Sequence, residues 1–399
     1  MSQVAAQTPT DRLWNANYIK VMAANFMIFF SFMLLTPLLP IYLHDTFSAD
    51  KDTIGIVLFG YAVLALIARL FSGYIVDSFP RKMVVLLSFF LFTLFFVGYL
   101  MAGTLLLFAI VRTLHGAPFG TVTVSNSTIA IDVLPSSRRT EGIGYYGLSN
   151  NIASAISPSV AIWVYHTTHN FDILFWIAML TALLGLIISA TVKLPQRELK
   201  KDRPPISLDR FFLLRGWSHA LTMVCFSFSY GVVTTYLAIY GHQRLGIESG
   251  AGLFFILFST GLICSRLTGN RLLRQNRLTH SATIGVCISA AGYLLFAAMP
   301  NVIGYYGAAL VIGLGNGRMY PAYQNMFVNL AEHSQRGTAN SSILVSWDVG
   351  VGLGILIGGI VAEHYGYTPA FFVAWAVNVT GAIGFLLHTR PYFEKNKLR

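Results

Sequence analysis

The sequence predicts an all-α polytopic membrane protein with twelve transmembrane helices in two pseudo-symmetric six-helix bundles, and three observations carry that prediction. Hydrophobic residues make up 55% of the chain and charged residues 11%, with a mean hydropathy of +0.63, which lies outside the range of a water-soluble globular protein. Apolar stretches long enough to cross a bilayer recur along the whole chain. The longest polar interval, 194–215, divides these stretches six and six.

Met1 to Ala16 is polar and lacks an apolar core followed by a cleavage site, so the first apolar stretch is expected to be retained. Stretches at 18–43, 54–76, 83–101, 105–131, 143–166 and 173–192 compose an N-terminal bundle, 1–193. The interval 194–215 carries Lys200-Lys201-Asp202-Arg203-Pro204-Pro205 and reads as a cytoplasmic linker. Stretches at 216–240, 250–272, 281–299, 302–330, 338–362 and 368–388 compose the C-terminal bundle, 216–399.

A net charge of +11 would point to nucleic acid in a soluble chain, but here the basic residues have a topological pattern. Arg81, Lys82, Arg138, Arg139, the run from Lys193 to Arg215, Arg271, Arg274, Arg277, Arg336 and the tail from Arg390 all fall on one side of the predicted spans. The other side offers Lys51 and Arg244 among Asp45, Asp50, Asp52, Asp172, Glu248 and Glu363. This bias places both termini in the cytoplasm of a multi-pass protein of the cell (inner) membrane, with no nucleic-acid partner.

The halves show weak self-similarity. Ala68-Arg69-Leu70 recurs as Ser265-Arg266-Leu267, with Gly73 and Gly269 following, and Arg139-Thr140-Glu141-Gly142 has a counterpart in Gln335-Arg336-Gly337. Two repeated membrane halves are a transporter arrangement, with the substrate expected between them near the midplane. An enzyme is not indicated: the chain has no Gly-x-x-x-x-Gly-Lys-Ser/Thr phosphate loop, no metal-spaced His/Cys set and no nucleophile motif. Cys225, Cys264 and Cys287 lie in apolar stretches and read as buried, inert thiols, so no cofactor or metal is expected. The energy source is then an ion gradient or the substrate's own.

Arg112, Arg318 and Asp348 stand deep in apolar stretches, where an ionisable group is a functional candidate. Arg69 and Arg266 lie near the charged ends and read as structural residues that snorkel. Asp348 is about ten residues into its stretch, roughly 15 Å, and Arg318 lies at nearly the same depth on the preceding one. As neighbours in an antiparallel hairpin the two are expected to pair. Protonation of Asp348 would compete with that pairing and couple protons to substrate; the alternatives are a fixed ion pair, or bonding to the backbone of Gly350-Val351-Gly352-Leu353-Gly354. Arg112 and His115 are one turn apart on one face, and His115 reads either as a second proton-handling group or as a hydrogen-bonded core histidine.

Local motifs give a family resemblance. Gly73-x-x-x-Asp77-x-x-Pro80-Arg81-Lys82 resembles the loop between helices 2 and 3 of the major facilitator superfamily, with Pro80 in place of a glycine. Pro37-x-x-Pro40, Arg112-x-x-His115-Gly116 and Ala153-x-x-x-Ser157-Pro158-x-x-Ala161 are similar to signatures of its twelve-helix drug and metabolite:proton antiporter branch, the last with its glycines replaced by small residues. The resemblance implies the major facilitator fold, alternating access and a gate of Gly73, Asp77, Arg81, Lys82 and Asp132. In that gate Arg81 meets Asp132, and Asp77 touches the start of span 11. It further implies for Arg112 a part in proton transfer or a polar bond with span 1, where Asn25 is the available partner. A cavity lined by spans 1, 4, 7 and 10 makes Asn25, Phe29, Tyr230, Tyr236, Asn316, Tyr320, Tyr323 and Gln324 substrate-binding candidates, with Asn150 from span 5.

The expected function is secondary active transport: a monomeric, proton-coupled exporter of amphipathic drug-like compounds or metabolites. The alternatives are a proton-coupled symporter importing a small organic anion, in line with the deep arginines, and a non-transporting receptor or lipid-handling protein on the same fold.

Overall fold

In the computed structural model, which describes residues 12–49, 51–194, 211–247, 252–274 and 277–398, every regular element among the described residues is helical. The α-helices are α1 (Ala16–Leu35), α2 (Leu39–Phe47), α3 (Lys51–Ser78), α4 (Arg81–Met101), α5 (Leu105–Val133), α6 (Arg139–Thr168) and α7 (Phe171–Ala190). They continue with α8 (Trp217–Leu245), α9 (Gly252–Arg274), α10 (Leu278–Ala298), α11 (Val302–Leu330), α12 (Arg336–Tyr365), α13 (Tyr367–Gly384) and α14 (Arg390–Asn396). Short polar caps start several of them. Asn15, Asn170 and Asn301 accept from Tyr18, Asp172 and Gly304 backbone amides at 2.9, 2.9 and 2.7 Å, satisfying donors that a helix start leaves open.

Two predicted stretches divide. The apolar run 18–43 is α1 followed by α2, because Pro37 and Pro40 remove two amide donors in succession and the chain turns between them. The last stretch passes from α13 through a π-helical turn, Phe385–Thr389, into α14.

Among the described residues, nine segments are long and apolar enough to cross a membrane: Ala16–Leu35, Ile56–Ser78, Arg81–Met101, Leu105–Val133, Phe171–Ala190, Leu214–Leu245, Leu278–Ala298, His333–Tyr365 and Tyr367–Asn396. The apolar run in α9, Gly252–Thr268, is shorter. Helices α6 and α11 have the length, but Ser149, Asn150, Asn151 and Ser157 in the first, and Asn316, Arg318, Gln324 and Asn325 in the second, dilute their apolar character.

Packing follows the halves of the sequence. One apolar core, with Ile28, Phe89, Phe92, Phe108 and Phe175, draws only on residues from Leu13 to Leu194; two others, around Met319 and Phe327 and around Phe254 and Phe296, draw only on residues from Phe212 onward. The two sets meet where α3 packs on α12 and α6 packs on α9, joined by α5 on α12 and α6 on α11. Residues 195–210 of the expected linker lie outside the described residues, as do Asp50, Glu248 and the side chains of Arg271 and Arg274. Beyond the linker, Phe211 rests on Phe71 and Tyr74, and the Leu213 amide donates to Ser342 Oγ at 2.8 Å.

Cys264 and Cys287 are exposed and Cys225 is half-buried, so the thiols expected to be buried stand largely on outward helix faces. The helix ends bearing Arg81, Arg138, Arg139 and Arg336 make one basic face of the molecule, and there α3 ends and α12 begins.

Candidate functional site

The contacts between the two sets of helices are built up from the basic face inward. Asp77, in the last turn of α3, meets the first turn of α12: its carboxylate accepts from the amides of Gly337 at 3.0 Å and Thr338 at 2.9 Å and from Thr338 Oγ1 at 3.2 Å. A carboxylate there caps open amides and faces the positive end of the helix dipole. Gly73, one turn earlier, permits the approach, since a Cβ would fall 2.7 Å from the Thr338 Cα. Arg81 bonds Asp77 at 3.1 Å and also pairs with Asp132 at the end of α5, while Arg336 reaches Asp132 at 3.1 Å from the other set. Two acids and two arginines thus balance in a largely buried square spanning α3, α4, α5 and α12.

Lys82 departs from the expected gate. Its Nζ donates to the carbonyls of Ser189, Ala190 and Val192 at 2.7, 2.8 and 2.6 Å, satisfying the open carbonyls at the end of α7. It fastens α4 to α7 inside one set of helices.

The expected Arg318–Asp348 pair does not form. Asp348 pairs with Arg69 of α3, whereas Arg318 donates to Thr268 Oγ1 of α9 at 3.3 Å. The reason is register: α3 and α12 run antiparallel from Asp77 against Thr338, and moving two to three turns inward on both brings Arg69 and Asp348 to a common depth of roughly 12–15 Å. Arg318 projects from the side of α11 that packs on α9. Arg69, expected to snorkel, is 7% exposed, and its carbonyl also accepts from Ser341 Oγ.

Arg266 is likewise buried, at 5% exposed, and not snorkelling. Its guanidinium donates to the Gly144 carbonyl of α6 at 2.5 Å, and Gly147 leaves room for it, since a Cβ there would lie 2.7 Å from Nη1. The repeat 68–70 and 265–267 was the signal for these two residues: equivalent arginines reach across from equivalent helices.

The Arg112–Asn25 bond is also absent. Asn25 Nδ2 donates to Ser149 Oγ at 2.9 Å and Asn25 Oδ1 accepts from Tyr146 at 2.7 Å, tying α1 to α6. Arg112 donates to Tyr99 OH at 3.2 Å and lies 4.0 Å from the Tyr61 ring centre, a cation–π distance that holds it among aromatics in place of an acid. His115 Nδ1 is 2.7 Å from the same Tyr99 hydroxyl, enclosed by Phe92, Phe95 and Phe96, which is the setting of a core histidine.

The substrate candidates separate by burial. Phe29, Tyr230 and Tyr320 are half-buried, the last two packing at 5.2 and 5.3 Å on Trp347, a residue beside Asp348 that sequence reading passed over. Asn150, also half-buried, accepts from Ser154 at 3.2 Å. Tyr323 is fully buried, bonded to Thr222 at 3.0 Å and packed on Phe226, because its side of α11 faces α8. Asn316 accepts from Ser289 of α10 at 3.2 Å, and the Tyr236 hydroxyl donates to the Ile355 carbonyl at 2.7 Å; both are engaged inside one half. Gln324 joins a relay between halves, through Asn340 at 3.4 Å to Thr128 at 3.2 Å. Among the described residues no group of three or more His, Cys, Asp or Glu could hold a metal.

The sequence model of the Major Facilitator Superfamily matches residues 21–331 and 281–399. The staphylopine export protein of Staphylococcus aureus (strain Mu50 / ATCC 700699) is 20% identical, with 95% of this chain and 96% of that one covered. The quinolone resistance protein NorA of S. aureus (strain MRSA252) is 21% identical, over 90% and 92%. The crystal structure of the human organic anion transporter MFSD10 (TETRAN) shares the fold, with a TM-score of 0.80 at 16% identity over 95% of this chain and all of that one.

Proposed function

The chain belongs to the Major Facilitator Superfamily, and from that premise we propose a proton-coupled exporter of amphipathic drug-like compounds or metabolites that works by alternating access as a monomer. In this reading the long helices α1, α3–α7 and α8–α13 are twelve membrane spans in two pseudo-symmetric bundles, 1–193 and 216–399, joined by the cytoplasmic linker 194–215. The basic face and both termini lie in the cytoplasm of a cell (inner) membrane protein.

The observation that carries the proposal is the bonding of Asp77 to the first amides of α12. It is a contact between halves at one membrane face only, so it holds while that face is shut and is lost when the halves rock apart. Gly73, Arg81, Asp132 and Arg336 complete this latch, and the conformation described is then the outward-open one. Deeper in, the Arg69–Asp348 pair crosses the same boundary, and the Asp348 side chain is 29% exposed against 8% for Arg69. Protonating Asp348 removes one charge of the pair and loosens the boundary from within. Arg112 and His115, joined through Tyr99, are the second candidates for proton handling. The names of the two S. aureus relatives, an export protein and a drug-resistance protein, favour export.

A second reading, proton-coupled import of a small organic anion, is favoured by one observation: Arg69, Arg112 and Arg266 are buried, and Asp348 is the carboxylate paired with any of them among the described residues. One experiment addresses both. Proton movement is followed in proteoliposomes under an imposed pH gradient as amphipathic compounds are added, for the wild type and for Asp348→Asn. Export by antiport requires proton movement opposite to the compound, absent in the variant; movement in the same direction establishes symport. Coupling retained in the folded variant would remove Asp348 from the mechanism.

A further inference from the structure

Away from the Asp77–Asp132 square, three buried arginines have incomplete bonding. Arg69, Arg112 and Arg266 are 7%, 4% and 5% exposed, and the Nε of each is buried without a hydrogen-bond partner. Arg112 rests on a tyrosine hydroxyl and Arg266 on a backbone carbonyl, both neutral, while Arg69 meets the partly exposed carboxylate of Asp348. Burying a guanidinium with part of its bonding unmet is costly, and an anion arriving at this place recovers part of that cost.

The two members of the Arg69–Asp348 pair are not equally placed. Arg69 is fixed: its guanidinium lies 5.5 Å from the Phe119 ring centre, and its carbonyl is held by Ser341. Asp348 is the exposed member, beside the half-buried Trp347 with Tyr230 and Tyr320 packed on it. Tyr320 lies within electrostatic reach of Asp348, Arg69 and Arg266, so the Arg69–Asp348 pair has an aromatic wall beside it.

We infer that Arg69 is the anion receptor of the transport site, and that the acidic group of an aryl-bearing organic anion takes the place of Asp348 on its guanidinium while the aryl part lies against Trp347 and Tyr320. The fork of an arginine matches a carboxylate in two parallel bonds, so an incoming carboxylate reproduces what Asp348 provides. The inference rests on the transporter reading for its setting, though not on direction. A carboxylate that arrives together with a proton for Asp348 leaves the charge of the site unchanged; that is the balance symport needs, and a positive result would weigh toward the second reading.

The test is equilibrium binding to the purified, detergent-solubilised full chain, with no gradient present, so its outcome is independent of whether proton coupling is found. The probes are benzoate, 1-naphthylacetate and indole-3-acetate, each against its uncharged amide. The expected result is a preference of about tenfold or more for at least one carboxylate over its amide. Arg69→Gln should collapse that preference toward unity with amide binding intact, which also reports that the variant is folded; Arg69→Lys should restore only part of it. Asp348→Asn should tighten the carboxylate and leave the amide unchanged. Equal binding of acid and amide, no carboxylate binding at millimolar concentration, or an acid preference that survives Arg69→Gln would each overturn the assignment.

Discussion

The seam between α3 and α12 and the seam between α9 and α6 occupy repeat-related places, yet they are bonded by different chemistry. In the first, Arg69 meets a carboxylate and Asp77 caps the opposing helix; in the second, Arg266 meets the Gly144 carbonyl. Eight residues on from each arginine the chain carries Asp77 in one half and Arg274 in the other. A carboxylate can be protonated or exchanged for another anion, whereas a backbone carbonyl offers neither option. The two seams thus share a similar arrangement of helices, and one of them carries two acids.

The largest effect is expected where the responsive seam is cut at its outer end. Asp77→Asn replaces a charged acceptor of two amides and one hydroxyl with a neutral group, removing about 2–4 kcal/mol. Transport into vesicles should fall roughly 100-fold or more, while ligand binding to the solubilised protein persists. Intact transport would show that the latch is ornamental, and ligand binding that persists in wild type and variant with no transport by either would favour the receptor reading.

A smaller effect is expected at the other seam. Arg266→Gln removes one bond to a neutral carbonyl, about 1–2 kcal/mol, and should slow transport on the order of tenfold. Transport rates as damaged as those of Asp77→Asn would make the seams equivalent and end the contrast. Smallest is Lys82→Gln, which touches neither seam: thermal unfolding should register a loss of about 1 kcal/mol or less, with transport per folded molecule within about twofold of wild type.

How far the sequence could be read depends on the range of each contact. Apolar periodicity and charge bias act locally, so the helices and the basic face are visible in one dimension, and a short loop leaves Asp77 and Arg81 little choice but to be neighbours. Asp348 and Arg69 are 279 positions apart, and their meeting depends on which faces α3 and α12 turn to each other. Sequence proximity favoured Arg318 instead, because a hairpin is the nearest partner that can be counted along the chain. The aromatic candidates diverge for the same reason: Tyr320 and Tyr323 are neighbours in sequence, but about 100° per residue on a helix takes one toward Trp347 and the other into the core against α8. The split at Pro37 and Pro40 was in the letters but masked by the apolar residues around it.

The spacing from Thr338 to Asp348 is a mechanical phase. A rigid helix carries any rotation at its first turn undiminished to a residue nearly three turns away, so α12 acts as a shaft with the Asp77 contact at one end and the Arg69 contact further along. Removing a single residue between them would turn Asp348 by about 100° away from Arg69 while leaving both groups chemically intact. The two contacts are thus held in time with each other by the length of helix between them.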